Sequence, residues 1–149
     1  MKPRLIYLFI TLCSLTLLLS FSILKPKKSL FNGVWQFTEG TFNGGNTVRP
    51  RNVELKVFNN GVFDGYLMGL IGSRKTMTGT YKIVNDSVYT ETLTSASNKP
   101  MVGKTYVIRY ELTGDIMIAS GSYDTVNDGN AVKVNYKQTW VRINYLNPQ

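Results

Sequence analysis

Residues 52–63 read Asn52-Val53-Glu54-Leu55-Lys56-Val57-Phe58-Asn59-Asn60-Gly61-Val62-Phe63. From Val53 to Val57 apolar and charged side chains alternate, with Val53, Leu55 and Val57 on one side and Glu54 and Lys56 on the other. A repeat of two marks a strand with unlike faces, because successive Cβ atoms of an extended chain point to opposite sides. Asn59-Asn60-Gly61 then supplies residues that accept the positive φ a tight hairpin turn demands. The apolar pattern resumes at Val62. The stretch predicts two antiparallel strands, residues 52–58 and 62–70, joined by a turn.

The same grammar extends in both directions. Upstream, residues 34–38 form a first strand, and a loop with Gly40, Gly44, Gly45 and Pro50 separates it from the hairpin. Downstream, Gly72-Ser73-Arg74-Lys75 reads as a turn. Residues 76–84 alternate again, with Met77, Gly79, Tyr81 and Ile83 against Thr76, Thr78, Thr80 and Lys82. Asn85-Asp86 turns the chain into a strand at 87–94. A polar loop at 95–103 precedes a strand at 104–113 that puts Tyr106, Ile108, Tyr110 and Leu112 on one face. Gly114-Asp115 leads to residues 116–123, and a loop at 124–130 leads to the last strand, 131–143. After Ser29 no segment sustains the i, i+3, i+4 spacing of a helix.

Short connections place successive strands side by side. About eight such strands must hide their apolar face. Closure into an up-and-down barrel does this and also removes exposed edges. The expected fold class is therefore all-β, an eight-stranded antiparallel barrel, with a β-sandwich as the alternative. The interior of such a barrel is either filled by side chains or holds one small ligand.

Residues 5–24 are of another kind: uncharged, rich in Leu, Ile and Phe, and flanked by Lys2 and Arg4 before and Lys25, Lys27 and Lys28 after. A helix of this length reaches roughly 30 Å, enough to cross a bilayer core. The full length suits an uncleaved transmembrane anchor. Ser20-Phe21-Ser22 offers small residues for cleavage of a signal peptide. Lipid attachment at Cys13 is a third reading, but Leu12 precedes it and the apolar run continues beyond it. Residues 1–28 are thus expected to be a signal peptide or membrane anchor, residues 29–149 a single barrel domain, and the location the cell envelope.

That division also explains the charge. Of 17 basic residues, 12 follow Ser29, against 9 acidic ones, so the domain itself carries only +3. Its basic residues are scattered, with Arg49/Arg51 and Arg74/Lys75 the close pairs, which is no stripe for nucleic acid. The sequence has no His, and its one Cys is Cys13. Disulfides within the domain, Cys/His zinc sites, His-dependent nucleophilic triads and His-ligated haem are excluded. No cofactor, metal, nucleic-acid partner or enzymatic activity is expected.

Gly33-Val34-Trp35 resembles the Gly-x-Trp signature on the first strand of lipocalins, and Trp140-Val141-Arg142 ends the last strand. More of the chain resembles a family of small lipocalin-like domains of unknown function common in Bacteroidetes. The likeness runs through Gly33-Val34-Trp35-Gln36, residues 55–63, Gly79-Thr80-Tyr81-Lys82-Ile83-Val84-Asn85-Asp86, Val88-Tyr89-Thr90-Glu91 and Thr139-Trp140-Val141-Arg142. It implies the barrel fold and an envelope location and brings no activity. The lipocalin likeness further implies that Gly33, Trp35 and Arg142 form one barrel end, with the guanidinium packed across the indole.

If the barrel is hollow, its walls are expected from Phe63, Leu67, Tyr81, Tyr106, Ile108, Tyr110 and Tyr136, which present apolar surface and hydroxyls without charge. They imply a small apolar or amphipathic ligand. The competing expectation is an interaction protein with a filled barrel, in which Gly65, Gly69 and Gly79 mark close backbone approach. Glu91 and Glu111 lie in adjacent strands but read as solvent-facing residues rather than a glycosidase pair. Asp124, Asn127, Asp128 and Asn130 read as a polar loop rather than a calcium site.

Overall fold

In the computed structural model the described residues are 30–143. The hydrophobic segment 5–24, its basic flanks and Cys13 lie outside them. The described chain forms a closed antiparallel barrel in which each strand pairs with the next and β1 pairs with β8. The strands are β1 (Gly33–Phe42), β2 (Val53–Asn59), β3 (Val62–Gly69), β4 (Gly72–Asn85), β5 (Val88–Ala96), β6 (Thr105–Thr113), β7 (Ile116–Asn127) and β8 (Asn130–Ile143). One short 3₁₀ turn, Lys99–Met101, lies between β5 and β6. The all-β barrel expected from the alternation is present.

The β2–β3 turn is as the sequence requires, with Asn60 at φ 45° and Gly61 at φ 89° between the paired residues Asn59 and Val62. Several boundaries differ, and β1 runs on to Phe42, into the expected Gly-rich loop. The β3–β4 turn is Leu70-Ile71, with Gly69 paired to Gly72, so residues 72–75 belong to β4. Apolar turn residues hid it. The expected loop at 124–130 is instead a continuation of β7 and β8 around Asp128-Gly129, both at positive φ. Asp-Gly is itself a hairpin signal, obscured by the polar residues around it.

The faces of β2 are also reversed from the simple reading. Phe58 is buried, and Lys56 and Glu54 point into the barrel, while Val53 is 42% exposed on its outside. Polarity is therefore a poor guide to parity here, because the interior holds an ionic partner for Lys56. The same partner corrects the reading of Glu91, which is 4% exposed and faces inward, whereas Glu111 is exposed on the outside of β6.

Register shifts decide which rings look inward. Phe37 pairs with Trp140 and Glu39 with Thr139, leaving Thr38 as an extra residue in β1. This bulge lets Trp35 and Phe37 face inward before it and Phe42 after it, although their numbers differ in parity. A second bulge lies opposite the step from Gly65 to Tyr66, and its extra residue is Thr76 on β4. β3 keeps its alternation, and Lys75 turns outward to pair with Asp64 at 2.9 Å.

Candidate ligand-binding site

The two ends of the barrel are built differently. At one end Phe31, just before β1, is fully buried. Its ring meets Tyr89 and Tyr110 edge-on at 4.8 Å each and lies 5.5 Å from Phe58 and 5.9 Å from Tyr81. Edge-to-face contacts of this kind are the favoured geometry of aromatic quadrupoles. Trp35 donates its indole N–H to the Phe31 carbonyl at 2.8 Å, which fixes the plug in place. The Arg142 guanidinium stacks 4.4 Å from the Trp35 ring centre, donates to the Asn32 carbonyl at 2.7 Å and pairs with Asp115 at 3.1 Å. Gly33 lies beside that guanidinium at φ 136°, a backbone conformation that favours glycine. The Asn32 side chain, accepting from Tyr81 and exchanging bonds with Asn60, ties the plug to the β2–β3 turn.

Beyond the plug sits an ion pair. Lys56 Nζ contacts both Glu91 oxygens, at 2.8 and 3.1 Å, with side chains 12% and 6% exposed. The ammonium lies 5.1–5.7 Å from the ring centres of Phe58, Phe63 and Trp140. Removing two charges from water is costly, and a carboxylate with bidentate contact plus three ring faces is what offsets it. Burial, and after it the charge of Glu91, pushes the Tyr89 and Tyr136 hydroxyls well above their ordinary range.

Above this pair the barrel opens into a cavity of about 320 Å³. Tyr106, Ile108, Leu93 and Tyr136 form its walls, Met101 of the 3₁₀ turn reaches its rim, and Phe42 enters through the β1 bulge. Lys56, Glu91 and Trp140 form its floor, and Glu54 stands on its wall. Glu54 is half-buried and makes no hydrogen bond or ion pair among the described residues, and burial alone raises its pKa. The Tyr106 hydroxyl is buried close to the Asp124 backbone without a hydrogen bond of full geometry. Outside the cavity, Asp124 is bonded to Lys104 at 2.8 Å, and no group of three or more His, Cys, Asp or Glu that could hold a metal occurs among the described residues.

Of the seven expected wall residues, Tyr106, Ile108 and Tyr136 line this cavity. Leu67 lines a smaller opening of about 210 Å³ that shares Glu54, Lys56, Met77 and Trp140 with it. Phe63, Tyr81 and Tyr110 belong to the packed core instead. The sequence pattern does not mark Glu54, Lys56, Glu91, Phe42 and Trp140 as wall residues: alternation alone reads charges as outward, and Phe42 needs a bulge that leaves no mark in composition.

Residues 30–149 match a family described as a domain of unknown function (DUF4488). The chain belongs to this family. Its fold is also that of solved structures from Bacteroides. One is an uncharacterized protein from Bacteroides eggerthii, with a TM-score of 0.55, 20% identity, and 76% of this chain and 99% of that one covered. Another is described as a lipocalin-like protein from Bacteroides uniformis, with a TM-score of 0.54, 12% identity, and 76% and 98% coverage. No curated protein matches the sequence. The likeness to small lipocalin-like domains of Bacteroidetes, read from Gly33-Val34-Trp35 and the strands beyond it, is thus borne out.

Proposed function

We propose that the domain is a binding module that takes one small apolar or amphipathic molecule into the open end of its barrel. The observation that carries this reading is the cavity of about 320 Å³, lined by Tyr106, Ile108, Leu93 and Tyr136 at one end of a barrel whose other end is plugged. That volume sits at the lower limit of small-molecule pockets, roughly 300–1,000 Å³, and matches about ten water volumes. Binding rather than catalysis suits the arrangement. Glu91 is saturated by Lys56, and Glu111 lies on the other side of the barrel wall. The apolar segment 5–24 supports delivery of the domain across a membrane, as an anchored or exported protein. A reporter fused after Gln149 that works only outside the cytoplasm should then be active, and cytoplasmic activity would overturn the location.

Native mass spectrometry of the protein purified from its own host's envelope tests the pocket. A reproducible adduct, lost when Met101→Trp narrows the rim, supports it. A clean apo mass favours a second reading, an envelope interaction protein, for which the wholly exposed Leu70 and Ile71 at the β3–β4 turn are the specific observation.

A further inference from the structure

The cavity is not electrically balanced. Among the described residues three charged side chains line it: Glu54, Lys56 and Glu91. Lys56 is held by both oxygens of Glu91, so its charge is already answered inside the wall. Glu54, two residues along the same strand and on the same face, has no such partner among the described residues. An anionic ligand would have to compete with Glu91 for Lys56 and would meet Glu54 as a like charge. A cationic one would meet Glu54, unpaired among the described residues, and the rings of Phe42, Tyr106 and Tyr136 along the wall, surfaces that attract cations.

We infer that the cavity selects small amphipathic amines, molecules with one protonated nitrogen on an apolar body of about ten non-hydrogen atoms, and that Glu54 is the residue that reads the charge. This rests on the proposal that the cavity binds a ligand and names the class of that ligand. The half-burial that raises the Glu54 pKa also strengthens its attraction for a cation, because water screens the pair less. The apolar body of the amine lies against Leu93, Ile108 and Tyr136.

The test uses the full chain in lipid nanodiscs and three probes with one body: 2-phenylethylamine, 2-phenylethanol and phenylacetate. Binding is followed by calorimetry against empty nanodiscs. The amine should bind at least about tenfold tighter than the alcohol, a difference of about 1.4 kcal/mol, and phenylacetate weakest of the three. Glu54→Gln should bring the amine down to the level of the alcohol while the alcohol itself still binds, and Glu54→Asp should keep part of the preference. Equal or tighter binding of the alcohol or the carboxylate overturns the inference and leaves the binding function standing. So does an amine preference that survives Glu54→Gln. If none of the three probes binds, both the inference and the ligand-binding reading fall.

Discussion

Tyr110 and Tyr106 stand four residues apart on the same inward face of β6, yet they do different things. Tyr110 is 6% exposed, packs edge-on against Phe31 and donates to the Asn85 carbonyl at 3.1 Å. Tyr106 lines an open cavity, with its hydroxyl lacking a well-formed partner. The difference is height in the barrel. At the plugged end a ring from outside the strands, Phe31, fills the axis, and Gly79 lets the wall close in. A Cβ on Gly79 would fall 2.3 Å from the Thr92 carbonyl oxygen and 2.8 Å from the Phe63 ring. At the open end no described residue occupies the axis, and charge is retained on the wall. One end is packed for stability; on the binding function proposed above, the other gives some of it up, as binding sites generally do.

The comparison breaks first if the plug proves dispensable. Trp35→Ala and Phe58→Ala should each cost about 3–5 kcal/mol, as large aromatic truncations in packed cores do. Met101→Ala at the cavity rim should cost about 1 kcal/mol or less. Thermal or urea melts of the full chain measure all three, and a Trp35→Ala melt equal to wild type would show that the end is not held by this ring. Between the two ends, Glu91→Ala should cost a further about 3–5 kcal/mol, because it strands the Lys56 ammonium among Phe58, Phe63 and Trp140. The double change Lys56→Met with Glu91→Leu should recover most of that loss. A single mutant as damaging as a double would mean the pair matters by packing alone.

What could be read in the sequence follows the same division. The closed end was legible because its marks are local or carried by the family likeness: Asn59-Asn60-Gly61 makes its turn, Gly33-Val34-Trp35 and Trp140-Val141-Arg142 mark the two strands whose register brings Trp35 to Arg142, and the alternation of β6 holds without a break. Phe31 and Asn32 were missed because they precede the first strand, where no periodicity marks them. The open end was poorly legible because it depends on long-range events. The Thr38 bulge turns Phe42 inward, and the inward direction of Lys56 makes sense only once Glu91, in a strand not adjacent to β2, is seen opposite it. Of the three glycines singled out, Gly65 and Gly79 leave no space for a Cβ, while Gly69 meets nothing nearer than 3.6 Å. A pattern of glycines thus located the tight wall without showing which residue in it was essential.

A smaller effect is expected at the rim of the plug. Arg142→Ala should cost about 1–2 kcal/mol through the lost stack on Trp35 and the lost bonds to Asn32 and Asp115. Arg142→Lys should recover little of it, since a lysine cannot present a flat face to the indole while donating sideways. Full recovery by lysine would mean that charge alone, rather than the stack, holds this end together.

The smallest effect is the most discriminating, and its sign is opposite to the others. The folded protein raises the Glu54 pKa from its ordinary value of 4.5, through burial. A raised carboxyl pKa means that the fold favours the protonated form. The ionised form costs stability, and that cost appears as pH rises from the ordinary value through the raised one. Glu54→Gln should therefore melt with wild type near pH 4 and at a slightly higher temperature near pH 7, by at most about 1 kcal/mol given its solvent-exposed half. Other acid-sensitive groups cancel in the difference. Asp64, whose carboxyl is held below its ordinary value by the Thr78 hydroxyl and then by Lys75, loses its contribution as pH falls in both proteins alike. A variant that is more stable at neutral pH yet loses its preference for the amine cannot have lost it by unfolding. If Glu54→Gln is instead the less stable protein at pH 7, Glu54 is anchored by the fold, and the open end would be packed for stability just as the plugged end is.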